Sequence, residues 1–169
     1  MSLPSNWASA SILTCGTFIR GVTYKKQEAS TTKKPGYTRL LRANNISNRN
    51  INTEEIVYVP LHNISETQIL QSGDILIATS SGSPSVVGKA AQLKNDTDMS
   101  FGAFCGVIRP YRDLNPEYIG HFFSSKQYRD RISKLARGTN INNIKQEHFE
   151  SIKIPLPPHQ RTTPHRQQT

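Results

Sequence analysis

Apolar side chains come in short runs separated by turn-forming residues. Asp74-Ile75-Leu76-Ile77-Ala78 follows Ser72-Gly73, and Phe104-Cys105-Gly106-Val107-Ile108 precedes Arg109-Pro110. Continuous apolar runs bounded by turns predict strands covered on both faces. Thr38–Leu41 and Ile56–Val59 predict two more strands, and Val86-Val87-Gly88-Lys89 is a further candidate. Later the period changes. Asn115-Pro116-Glu117 offers an N-cap, a proline at the first helical position and an early carboxylate, and Tyr118, Ile119, Phe122 and Phe123 recur at helical spacing behind it. A second helix is predicted over 125–136, with Tyr128, Ile132 and Leu135 on one face, Lys126, Arg129, Asp130 and Lys134 on the other, and Gly138 beyond its end. No internal repeat is visible, which excludes a solenoid. The pattern predicts one mixed α/β (α+β) globular domain with short twisted strands, late helices and long loops.

Charge sharpens this picture. The 169 residues carry a formal +9 and are only 35% hydrophobic, which points to polyanionic partners. The excess is split: residues 1–42 hold seven basic and one acidic group, 43–100 three and six, and 101–169 eleven and five. No run approaches the roughly 18 apolar residues of a membrane span, and the N-terminus lacks the basic and apolar stretches of a signal peptide, so no membrane association and a cytoplasmic location are expected. Cys15 and Cys105, 90 positions apart, form neither a disulfide framework nor a zinc knuckle and are expected to be buried thiols.

Catalytic motifs are nearly present and fail. Gly82 to Ala90 resembles a phosphate-binding loop, but five residues separate Gly82 from Gly88 where the motif has four, and Ala90 replaces the magnesium-binding hydroxyl. No two glycines are one residue apart, as a glycine-rich dinucleotide or S-adenosylmethionine site would need. Asn115-Pro116-Glu117-Tyr118 lacks the second proline of the adenine-methyltransferase Asn-Pro-Pro-Tyr motif and reads as a helix cap. Asp74 has no acid partner on the next candidate strand for a metal-dependent nuclease. His62, His121, His148, His159 and His165 show no metal-ligand or nucleophile-base spacing. A binding module with no catalytic centre, no cofactor and no metal is expected.

Five segments in order resemble the target recognition domain of the specificity subunit of type I restriction-modification enzymes, a family that includes related recognition domains of other adenine methyltransferases. Trp7 and a Gly-Thr-rich opening precede Leu40-Leu41-Arg42-Ala43-Asn44-Asn45-Ile46; then come Gly73 to Ser83 with Val87-Gly88-Lys89, Ser100 to Phe104 with the Tyr118 to Phe123 helix, Gly138-Thr139-Asn140-Ile141, and Phe149 to Pro158. The resemblance spans residues 3–158. It implies a DNA recognition domain that reads one half of a split, asymmetric duplex sequence. In the family, two such domains joined by long helices hold two methyltransferase (modification) subunits, and an endonuclease and translocase subunit joins them. The resemblance thus divides the chain into a recognition domain over 1–158 and a polar tail over 159–169. The family's spacer helix would begin in that tail, which carries Pro164 and no apolar seam. A disordered tail, no spacer-mediated dimer and poor recruitment of methyltransferase subunits are therefore expected.

DNA readout needs cations on phosphates and polar side chains on base edges. Lys25, Lys26, Lys33, Lys34, Arg39 and Lys89 are the phosphate candidates. Arg42, Asn44 and Asn45, then Ser80, Ser81 and Ser83, then Asn140, Asn142 and Asn143 are the base candidates; Asn pairs with adenine, Arg with guanine and Ser with either. Each group has a plainer reading as turn or cap residues. The alternatives to a DNA specificity module are a basic RNA-binding or ribosome-associated domain, which would stack exposed aromatics on unpaired bases, and, further off, a small nuclease.

Overall fold

The computed structural model describes residues 2–158. The tail over 159–169, with His159 and His165, lies outside the described residues. In chain order the strands and helices are β1 (Ala8–Ser11), α1 (Ile12–Cys15), β2 (Gly16–Arg20), β3 (Tyr37–Leu41), β4 (Ile46–Ser47), β5 (Asn50–Ile51), β6 (Val57–Pro60), β7 (Ile75–Ala78), β8 (Ser80–Ser81), β9 (Ala90–Gln92), β10 (Ser100–Phe101), β11 (Cys105–Pro110), α2 (Pro116–Phe123), α3 (Lys126–Leu135), β12 (Asn142–Asn143), α4 (Gln146–Ser151) and β13 (Lys153–Leu156).

An antiparallel sheet in the order β2-β11-β7-β9 forms the centre. Side chains alternate across a strand, so Ile75, Ile77 and Ile108 enter one core with α1, α2, α3 and α4, whereas Leu76, Ala78, Val107 and Cys105 enter a second core on the other face. That second core is closed by Leu41, Phe101 and the β4–β5 hairpin residue Ile46. This double burial is what the continuous apolar runs predicted, and each fully covered Ile or Leu contributes about 1.5–3 kcal/mol. The second sheet, β10-β3-β6, pairs β10 parallel and β6 antiparallel to β3, and an isolated bridge from Val22 to Gly102 ties it to the chain leaving β2. β1 pairs with β13, bringing Ala8 opposite Leu156 and Ser11 opposite Lys153.

The helices start where their caps place them. The Asn115 side chain accepts from the Glu117 and Tyr118 amides at 3.0 and 3.2 Å, and Ser125 Oγ accepts from Tyr128 N–H at 3.2 Å. Both cysteines are buried and free, and burial pushes the Cys105 thiol up to about 12. Two expectations need correction. Phe104 is not a core strand residue: β11 begins at Cys105, and Phe104 is 73% exposed. Val86 to Lys89 is a turn, and the strand there is Ala90–Gln92.

Candidate nucleic-acid interface

The sequence candidates gather at opposite ends of β3. Lys33 and Lys34 precede its first residue, and both are exposed, as are Lys25 and Lys26. Lys25 N–H donates to Glu28 Oε2 at 3.1 Å, and chiefly because of that bond the Glu28 carboxyl lies below its ordinary range. Arg39 is already engaged: its Nη2 lies 2.7 Å from Asp98 Oδ1, and that hydrogen bond holds the Asp98 carboxyl below the usual range. Arg42 and Asn44 follow the last residue of β3, one strand length away, roughly 13 Å at 3.3 Å per residue.

The end of β3 opens onto the remaining candidates. Gly102 N–H donates to the Leu41 carbonyl at 2.9 Å, and Cys105 N–H to Gly102 at 2.9 Å. The Phe104 carbonyl in turn accepts from Thr79 and Ser80 at 2.9 and 3.1 Å. Beyond Ser80, β8 pairs antiparallel with β12, so Ser80 faces Asn143 and Ser81 faces Asn142. Four segments far apart in sequence thus meet: the end of β3, the Gly102–Phe104 turn, β8 and β12. Ser80 Oγ donates to Asn143 Oδ1 at 2.6 Å, a polar pair on the surface. Lys89 lies beside it, exposed, with its carbonyl accepting from Ala78 N–H at 2.9 Å.

Two of the named amides belong to the interior. Asn45 is 1% exposed; its Oδ1 accepts from Arg42 N–H at 2.8 Å and its Nδ2 donates to the Asn52 and Glu55 carbonyls at 2.8 and 3.0 Å. Asn142 is 6% exposed and donates to the Ser81 carbonyl at 3.1 Å. Both fix loops from inside the fold and leave the surface set, because a buried amide bonded to backbone does not present its edge to a base. Asn44 stays exposed and reaches Glu55 Oε2 at 3.4 Å. Asn140 and Asn143 are exposed, and Ser83 is half-buried, its hydroxyl 2.8 Å from that of Ser85. Arg42 is half-buried with its Nε unpartnered among the described residues.

Residues that the pattern missed join this surface. Phe104 at 73% and Ile141 at 61% exposure are large apolar side chains on or beside two of the four converging segments. The only available signal was their place beside glycines, Gly102 and Gly138, which break the runs that would otherwise bury them. Asp74, the nuclease candidate, is 0% exposed and held by Arg109 at 2.7 and 2.8 Å. Among the described residues, no three His, Cys, Asp or Glu side chains are grouped to hold a metal, and no helix is long and apolar enough to cross a membrane.

Comparison with known proteins adds an independent line. The family model described as "Type I restriction modification DNA specificity domain" matches residues 4–169. The chain is 48% identical over 155 residues to the specificity subunit of the type I restriction enzyme StySPI of Salmonella potsdam, and 49% identical over 156 residues to that of EcoKI of Escherichia coli (strain K12). Each match covers 92% of this chain and 34% of the relative, so the chain spans about one third of the length of these relatives. Among solved structures, the HsdS subunit from Thermoanaerobacter tengcongensis aligns with a TM-score of 0.66 at 15% identity, over 94% of this chain and 35% of that one. A chain from a study of assembly and conformational transition in the type I R-M system gives 0.68 at 16% identity, over 94% and 36%. The type I S subunit from M. genitalium gives 0.61 at 15%, over 94% and 37%. These three share the fold.

Proposed function

The chain belongs to the type I restriction modification DNA specificity domain family, and from that membership we propose that it binds duplex DNA as a sequence-reading module, recognising one half of a two-part site and supplying no chemistry itself. The observation that carries this reading is the backbone pairing that brings the end of β3, next to Arg42 and Asn44, to the turn of exposed Phe104 and on to Ser80, Ser81 and Asn143. Hydroxyl, amide and guanidinium groups there match the hydrogen-bonding edges of bases, and a projecting apolar ring suits contact with a thymine methyl or an opened base step. Lys25, Lys26, Lys33, Lys34 and Lys89 are the phosphate contacts of this reading, with Arg39 partly neutralised by Asp98. In the cytoplasm the module would act beside methyltransferase and endonuclease subunits, to which it would deliver sequence selectivity.

Selection from random duplexes, followed by affinity measurement over a salt series, tests the reading. Enrichment of a defined sequence is the expected result. Changing Lys25, Lys26, Lys33 and Lys34 together to Ala is expected to flatten the slope of log affinity against log salt by about 0.9 for each phosphate no longer neutralised, for every sequence alike. Recovery of no sequence, with duplex bound no better than single-stranded RNA at matched salt, would replace this reading by the RNA-binding one, for which exposed Phe104 would serve as a stacking platform.

A further inference from the structure

Two open clefts meet at the tip of the β4–β5 hairpin, away from the Lys25–Lys34 loop. One, of about 450 Å³, is lined by Arg49 with Lys94, Ser72, His121, Glu117 and Ser124. The other, also about 450 Å³, is lined by Arg49 with Lys89, Lys126, Arg129, Asp130 and Ser125. The cations of the second cleft have unlike commitments. Lys126 pairs with Asp130 one helical turn on, and Arg129 donates to the carbonyls of Val87 and Ser85. Arg49 and Lys89 are exposed and have no ion pair or side-chain hydrogen bond among the described residues. Their charges are the ones open to a ligand.

Arg49 occupies an unusual place in the backbone. Ser47 pairs with Asn50, which leaves Asn48 and Arg49 as a two-residue loop with φ of 50° and 65°. Positive φ at both positions is the arrangement of a type I′ hairpin turn, in which asparagine suits the first position and glycine the second. A β-carbon at the second position is strained. Glycine would serve the hairpin better; what arginine adds is a guanidinium at the mouth of both clefts.

We propose that Arg49 and Lys89 hold phosphate groups of a duplex DNA backbone in these adjoining clefts, as a contact separate from the Lys25–Lys34 loop. The proposal rests on the DNA-binding reading above. A planar guanidinium presents paired donors that match phosphate oxygens, and a lysine adds a mobile point charge. The clefts share Arg49 and Ser124 and spread their cations from Lys94 to Lys89, which suits a chain of phosphates better than one small anion. Lys89 also hydrogen-bonds through its backbone to Ala78, two residues before Ser80, so the backbone track would run beside the proposed base-reading surface.

Arg49→Gly separates the backbone effect from the charge. The full chain, bound to a mixed-sequence duplex over a salt series, is compared with Arg49→Gly, Arg49→Lys and the double variant Arg49→Gly with Lys89→Ala. Arg49→Gly is expected to melt no lower than the parent and to flatten the log affinity against log salt slope by about 0.9, and the double variant by about 1.8. Arg49→Lys is expected to keep the parent slope while melting below the glycine variant. Unchanged slopes in both glycine variants, with the parent still binding duplex, overturn the proposal and leave Arg49 a solvated turn residue. A parent that binds no duplex overturns the functional reading instead; inorganic phosphate that then raises the melting temperature of the parent, but not of Arg49→Gly, would reassign the clefts to a free anion.

Discussion

Asp74 is fully enclosed, and every bond it makes is structural. Arg109 meets both carboxylate oxygens, Gln71 N–H donates to Oδ2 at 2.8 Å, and the same guanidinium reaches the Ile69 carbonyl at 3.0 Å. Removing one member of such a pair strands the other charge. Asp74→Ala is expected to lose about 3–5 kcal/mol in urea unfolding, with no effect on DNA selectivity in the fraction that remains folded. The neighbours Asn44 and Asn45 divide in the same way. Asn45→Ala deletes three hydrogen bonds to backbone inside the fold and should lower stability by about 1–3 kcal/mol. Asn44→Ala should leave the melting temperature unchanged and lower duplex affinity, and a stability loss at Asn44 or an affinity loss without destabilisation at Asn45 would reverse these assignments. The two were indistinguishable in the sequence, since an asparagine that caps a loop and one that reads adenine have the same side chain and the same liking for turns.

Elements whose causes are local were legible. The Asn115 cap, the proline at the start of α2, the helical spacing of α3 and the apolar runs of β7 and β11 each act within a few residues. The two-residue strands β8, β10 and β12 exist only through partners some 60 positions away, and no local pattern marks them. Phe104 was misplaced for the same reason: it adjoins an apolar run but belongs to the Gly102 turn, whose backbone bonds to Leu41 of β3, Ser80 of β8 and Cys105 of β11 hold it outside the sheet. Phe104→Ala is therefore expected to keep the melting temperature, retain the salt slope and weaken duplex binding; a drop in melting temperature instead would mark a packing role. The start of α4 carries a pH dependence. Lys145 N–H donates to His148 Nδ1 at 3.0 Å, a bond that needs an unprotonated nitrogen, and desolvation lowers the His148 pKa. Because the folded value lies below the unfolded one of about 6.5, this stabilisation is complete above that pH and is lost as pH falls below it. His148→Gln should show a smaller decline in melting temperature than the parent between neutral pH and pH 5.

At the scale of the molecule, the central sheet separates two cores, and β7 and β11 send fully buried apolar residues into both. Net charge and the family motifs were visible in the sequence. The candidate interface was visible only as scattered residues, because the segments that assemble it are joined by backbone pairing rather than by proximity in the chain. The β1–β13 pair has a different consequence. Residues directly opposite in antiparallel strands are about 4.5–5.5 Å apart, so the chain enters and leaves the described fold at one seam, Ala8 beside Leu156. The order of elements is then separable from their arrangement: a circular permutant that joins the two ends through a short glycine linker, and opens new termini between the exposed residues Thr53 and Glu54, should fold cooperatively to the same sheets, whereas a non-cooperative melt would show that chain direction through the seam matters as much as its closure.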